Sequence, residues 1–143
     1  MPRGPIPAEF HNLLESQAFA FVASLGKSGA PNVTPVWFIW DDGHVKLSLI
    51  DGSQRHLNLS RDDRIAVAIA HPADPYRYLE IRGRATLEPD ADDVIFKAIS
   101  RKYTGSDFSL EPPDTVRHVA TIHVERHTFQ PPVDLPPPTD RPR

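Results

Sequence analysis

The chain has 143 residues, a formal net charge of -3 and no cysteine, which suits one domain with a real core and excludes disulfides, thiolate catalysis and cysteine-held zinc. No lysine- or arginine-rich run supplies the electrostatic footprint of a nucleic-acid binder, so no nucleic-acid partner is expected. No apolar run approaches the roughly 20 residues a membrane-spanning helix needs, and the opening MPRGPIP lacks a signal peptide's apolar core, which points to a cytoplasmic protein without a membrane partner.

In chain order, residues 1–5 read as a flexible N-terminus and 6–129 as one folded body. Pro7 to Glu15 has the spacing of a short helix that buries Phe10, Leu13 and Leu14. Phe19 to Leu25 is a small apolar strand closed by the turn Gly26-Lys27-Ser28-Gly29. A second strand, rich in β-branched and aromatic residues, runs from Val33 to Trp40. Asp41-Asp42-Gly43 turns it into a third, Val45 to Ile50. Ile65 to Ala70 and Tyr78 to Leu87 alternate as half-buried strands, with Pro72-Ala73-Asp74-Pro75 between them. Asp90 is placed to cap a helix carrying Ile95, Ala98, Ile99 and Tyr103 on one face, and Gly105 to stop it. Val119 to Val124 is the last strand. Six strands and tight turns predict a mainly β fold with flanking helices, an antiparallel sheet closed into a small barrel. Gln130 to Arg143, QPPVDLPPPTDRPR, is a proline-rich tail too poor in apolar residues to pack.

Most of the candidate chemistry dissolves on inspection. His123 and His127 on a strand lie about 13 Å apart at roughly 3.3 Å per residue, too far for one ion with bonds near 2 Å. No metal site and no catalytic residue is therefore expected. No serine sits in a nucleophile elbow, and no glycine loop matches a nucleotide cradle. Asp41-Asp42 and Asp92-Asp93 read as a turn and a helix start. If the chain is an enzyme, a bound cofactor supplies the chemistry.

One segment carries a positive signal. Gly52-Ser53-Gln54-Arg55-His56-Leu57-Asn58-Leu59 follows an apolar strand and opens a short helix. Ser53 is an N-cap residue, and the amides of that first turn, with the helix dipole and the Arg55 guanidinium, suit a phosphate. Trp37 alternates with Val36 and Phe38, so it can present one side to a planar ligand. Arg77, Arg82 and Arg84 are solvated strand arginines or a groove for an acidic ligand.

The order of these pieces resembles the split β-barrel flavin and deazaflavin reductases related to pyridoxamine 5'-phosphate oxidase. The likeness rests on Gly29-Ala30-Pro31-Asn32-Val33-Thr34-Pro35-Val36-Trp37-Phe38, on the Gly52 to Leu59 segment, on Ser60 to Val67, and on Pro75-Tyr76-Arg77-Tyr78-Leu79-Glu80-Ile81-Arg82-Gly83-Arg84-Ala85. Arg101-Lys102-Tyr103-Thr104-Gly105 completes it. The Pro75 to Glu80 stretch is most similar to the branch that uses coenzyme F420, and Gly52-Ser53-Gln54-Arg55 is similar to the biliverdin reductases of that branch. The resemblance implies a six-stranded split barrel of the FMN-binding type and a homodimer with the cofactor at the subunit interface. It implies that Ser53, Gln54 and Arg55 hold the cofactor phosphate, with Asn58 bonding near it. Pro35, Val36 and Trp37 would line one side of the ring system with Ser48, Leu49 and Ile50, while Arg77 and Tyr78 approach across the interface. The implied function is hydride transfer from reduced coenzyme F420 to a small conjugated acceptor such as biliverdin, a quinone or a nitro compound. The alternatives are an FMN-dependent enzyme of the same fold and a non-catalytic flavin, deazaflavin or tetrapyrrole binder.

Overall fold

The computed structural model describes residues 5–129; the proline-rich stretch 130–143 and residues 1–4 lie outside them. A 3-10 turn, Ala8–Phe10, runs into helix α1, His11–Leu14. Seven strands follow: β1 Ala20–Leu25, β2 Pro31–Val36, β3 Ile39–Asp41, β4 His44–Ile50, β5 Arg64–Ala70, β6 Tyr78–Pro89 and β7 Arg117–Phe129. Helix α2, Gln54–Arg61, joins β4 to β5, and α3, Val94–Thr104, stands between β6 and β7.

All strand pairs are antiparallel, in the order β2-β1-β5-β6-β7-β4-β3. The two end strands are consecutive in the chain, separated only by Trp37 and Phe38. In a flat seven-stranded sheet they would lie about 29 Å apart at ~4.8 Å per strand. The connection spans at most about 11 Å, at 3.8 Å per residue step. The sheet must therefore curl until its edges approach, which gives an antiparallel half-barrel consistent with a split barrel.

Alternation decides what fills it. Ala20 and Val22 of β1, Leu47 and Leu49 of β4, Ile69 of β5 and Ile81 of β6 point inward and are almost wholly buried. Leu13 and Leu14 of α1 join the same core.

The expected single strand from Val33 to Trp40 is two, so the count is seven rather than six. The chain breaks at Trp37-Phe38 because each half pairs with a different edge of the sheet. Phe38 turns into the core with no exposed surface. Its backbone groups, lost to any ladder, are met by α3: its carbonyl accepts from Lys102 Nζ (3.0 Å) and its amide donates to Tyr103 Oη (3.4 Å).

The last strand is longer than Val119 to Val124 and carries an irregularity. Opposite Arg82 and Gly83 the register shifts, leaving Glu125 unpaired between Val124 and Arg126. This bulge turns His127 inward, where it is buried, while His123 stays exposed. The two histidines thus lie on opposite faces rather than sharing one, because an extra residue inverts the alternation.

Both longer helices begin as their sequences dictate. Ser53 Oγ accepts from the His56 amide (3.4 Å) at the start of α2. The Asp90 carboxylate accepts from the Ile95 and Phe96 amides (3.1 and 2.9 Å). At the far end of α3 Gly105 takes a left-handed conformation (φ 79°) and its amide donates to the Arg101 carbonyl, the arrangement glycine permits at no steric cost.

Candidate functional site

A cleft of about 620 Å³ opens on the outer face of the sheet. Its floor is set by strand phase. On β4, Ser48 and Ile50 point outward while Leu49 points into the core. On β1 and just before it, Phe19 and Phe21 point outward and half of their surface is exposed. Pro35, Val36 and Trp37 close one side, Ser53 and Arg55 one end, and Phe96 and Ile99 of α3 overhang the other side. The opening is thus mostly aromatic and aliphatic, with hydroxyls and guanidinium groups at defined points, the composition of a site for a planar molecule with a charged end.

Arg55 supplies the charge. It is half-buried, and burial lowers its pKa from the ordinary value. Its Nη1 donates to Thr34 Oγ1 (2.8 Å), which aims it across from α2 to β2, and among the described residues no carboxylate pairs with it. A cation partly withdrawn from water and left without a counter-ion is an anion site in waiting. The N-terminal amides of α2 and its dipole act in the same direction.

On the opposite wall the cation has its counter-ions. Arg117, buried at the start of β7, donates to the Asp93 and Glu111 carboxylates (3.2 Å each) and to Ser109 Oγ (3.0 Å). Its guanidinium lies 3.8 Å from the centre of the Phe96 ring. These contacts fasten the irregular segment after α3 against the cleft. The Ser109 hydroxyl, with help from Arg117, holds the Glu111 carboxyl below its ordinary pKa. Glu111 is therefore a carboxylate near neutral pH, able to accept a hydrogen bond and not to donate a proton.

Trp37 is held from behind. The Tyr103 ring stacks on it (4.9 Å, 3° between planes) and lies parallel to Phe19 (6.3 Å, 6°). The Tyr103 hydroxyl donates to the Ala18 carbonyl. Beside it Lys102 Nζ sits 3.7 Å from the centre of the Phe38 ring and donates to the Phe38 and Leu14 carbonyls. Burial pulls Lys102 down from 10.5 to about 8 and pushes Tyr103 up from 10.0 to about 12.

These shifts predict a pH profile. Between about pH 8 and 10.5 the unfolded chain keeps the Lys102 proton and the folded chain has released it, so stability rises with pH. Above about pH 10 the unfolded chain loses the Tyr103 proton while the folded chain retains it to about 12, so stability falls. Urea midpoints measured from pH 8 to 11 are expected to pass through a maximum near pH 10, and Lys102→Met is expected to abolish the rising limb. A rising limb that survives Lys102→Met assigns it to another group.

Of the residues the sequence singled out, Pro35, Val36, Trp37, Ser48, Ile50, Ser53 and Arg55 meet in this cleft. Leu49 lies beneath it in the core. Gln54 Nε2 donates to Asn58 Oδ1 (2.7 Å), and the fully buried Asn58 donates to Ser24 Oγ (3.1 Å). This chain of bonds fixes α2 on β1 and leaves the Asn58 side chain turned away from the cleft. Arg77 is fastened to the N-terminal segment through the Glu9 carbonyl and Asn12 Oδ1 (3.0 Å each). Tyr78 is exposed, and neither it nor Arg77 lines this cleft. Sequence reasoning missed Phe19, Phe21, Phe96, Ile99, Glu111 and Arg117. The one available signal was the segment from Ala18 into β1, where the large Phe19 and Phe21 occupy the outward phase and the small Ala18 and Ala20 face inward.

A sequence-family profile described as pyridoxamine 5'-phosphate oxidase matches residues 6–130. None of the curated proteins matches the chain. Among solved structures, an F420 reductase is 24% identical with a TM-score of 0.76, covering 86% of this chain and 98% of its own. A conserved hypothetical protein from Mycobacterium tuberculosis is 22% identical with a TM-score of 0.73, covering 94% of each chain. General stress protein 26 from Bacillus anthracis is 14% identical with a TM-score of 0.64, covering 85% of this chain and 91% of its own. At these identities the structures share the fold. No described helix is long and apolar enough to cross a membrane.

Proposed function

Because this chain belongs to the pyridoxamine 5'-phosphate oxidase family, a flavin-binding, oxidoreductase-type group, we propose that its cleft binds coenzyme F420 by an anionic end seated at Ser53 to Arg55. The observation that carries this reading is the half-buried Arg55 guanidinium with no carboxylate partner among the described residues, at one end of an aromatic cleft. The preference for the deazaflavin over FMN is supported by the Pro75 to Glu80 stretch and by the likeness to an F420 reductase.

When bound in its reduced form, a deazaflavin supplies a hydride to an electron-poor conjugated acceptor, of which biliverdin, a quinone and a nitro compound are examples. The residues of the chain contribute placement. Ser53, the first amides of α2 and Arg55 fix the anionic end. Trp37, Ile50 and Val36 offer a flat apolar wall to the ring system, and Phe19 and Phe21 exclude water from the space beside it. Confining donor and acceptor in this way removes translational and rotational freedom that would otherwise oppose reaction. Glu111, held ionised, donates no proton, so the proton that accompanies a hydride comes from solvent.

The functional unit is a homodimer. Edge strand β2 is exposed along both of its faces, including Val33 and Pro35, next to exposed Phe19, Phe21 and Trp37. A second copy over this surface covers the apolar area and brings the partner's Arg77 and the partner's Tyr78 toward the coenzyme.

Fluorescence titration of the purified protein tests the reading. Saturable binding of coenzyme F420 that is tighter than that of FMN is expected. The opposite order assigns the site to FMN, and failure of both to bind overturns the assignment. Turnover of the reduced deazaflavin with conjugated acceptors separates an enzyme from a carrier.

A further inference from the structure

On the other side of the α2 corner, away from the cleft, three side chains of metal-binding type converge. Asp51 follows β4 in the turn before α2, His56 lies in the first turn of α2, and His118 is the second residue of β7, directly across from Leu49. His118 Nε2 is 2.8 Å from Asp51 Oδ1 and His56 Nδ1 is 3.8 Å from the same oxygen. One ligand atom from each of the three residues lies within 4.8 Å of the other two. The imidazole rings are stacked, 4.2 Å apart and 8° from parallel. We propose that Asp51, His56 and His118 bind a borderline divalent cation, with zinc(II) as the type case.

The donor set chooses the ion. Two imidazole nitrogens and one carboxylate oxygen suit zinc, cobalt or nickel, whereas calcium and magnesium take oxygen ligands. Bonds of about 2.0–2.1 Å place tetrahedral ligands about 3.3 Å from one another. The observed separations straddle that value, so small side-chain rotations close the site without moving the backbone. The Gly52 amide donates to His56 Nδ1 (3.0 Å). It holds that nitrogen toward Asp51, and the ion replaces this hydrogen bond and the one between His118 Nε2 and Asp51 Oδ1.

Burial is graded in the way an open site requires. The histidine side chains are only 16% and 19% exposed, while Asp51 is 55% exposed, so the ion enters past the carboxylate and keeps water in its fourth position. Once bound, it ties β4, α2 and β7 together at the corner that carries Ser53 and Arg55. This inference does not rest on the identity of the coenzyme.

The test uses the full chain with zinc chloride and cobalt chloride as probes. Zinc is expected to raise the thermal midpoint, since a ligand of the native state alone stabilises it. Cobalt is expected to give a saturable visible absorption band of a four-coordinate ion. Asp51→Asn, at an exposed position that tolerates the change, and His118→Gln are each expected to weaken cobalt binding by about tenfold or more. His44→Gln, beside His123 at a ring separation of 5.1 Å, is expected to leave both signals intact. A wild-type protein with neither a zinc-dependent shift nor a saturable band overturns the proposal. So does a band that persists undiminished in Asp51→Asn.

Discussion

Gly83→Ala is expected to destabilise the fold by about 3 kcal/mol, which corresponds to roughly 10 °C in Tm for a chain of this size. A β-carbon at position 83 would lie 1.9 Å from the His123 carbonyl oxygen and 2.9 Å from its carbonyl carbon. Both are backbone atoms, so no rotamer relieves the contact. Relief requires β6 and β7 to separate at the bulge, where Gly83 pairs with Val124 and Arg82 with Arg126. Those two strands form the longest ladder of the sheet, and Ile81, Ala85, Ile122 and His127, inward residues on either side of the bulge, are buried. Differential scanning calorimetry of the two proteins measures the loss. A Tm within a degree or two of wild type would mean that the bulge relaxes freely.

Arg55→Ala is expected to weaken binding of the phosphate-bearing coenzyme by about 1.5–3 kcal/mol, the range for a hydrogen bond to a charged group. Thr34 keeps its own exposed position on β2 after the change, so the fold loses one surface bond and little else. Binding and stability are therefore separable: the dissociation constant rises by one to two orders of magnitude while the urea midpoint stays near that of wild type. Arg55→Lys keeps the charge and loses the bidentate geometry, and its affinity is expected to fall between the two. Unchanged affinity in Arg55→Ala moves the anion to another part of the cleft.

Local signals were readable where structure is local. The α3 helix announces itself because its cap, its apolar face and its stop all lie within sixteen residues, from Asp90 to Gly105. The same holds for Ser53 at α2. What escaped depends on contacts far apart in sequence. The break between β2 and β3 falls inside a run of uniform strand-forming composition, and the groups that satisfy its backbone, Lys102 and Tyr103, come some 65 residues later. The bulge cannot be seen from β7 alone, because it is Gly83 on the facing strand that permits it. Glu111 and Arg117 reach the cleft only through the contacts with Ser109, Asp93 and Phe96 that fold their segment back. The resemblance supplied the family directly, whereas the ring of aromatic residues around the cleft emerged only from the packing.

Strand β2 has one more consequence. It lies at the end of the sheet and carries proline at positions 31 and 35. Proline is tolerated in such a strand where its missing N–H faces away from the neighbouring ladder. The outer rim of β2 is accordingly short of donors, and another strand arriving there finds little to zip onto. An apolar flank that would otherwise invite fibrils is thus made safe by two imino acids: molecules can meet face to face through side chains, but they cannot extend one another's sheet indefinitely.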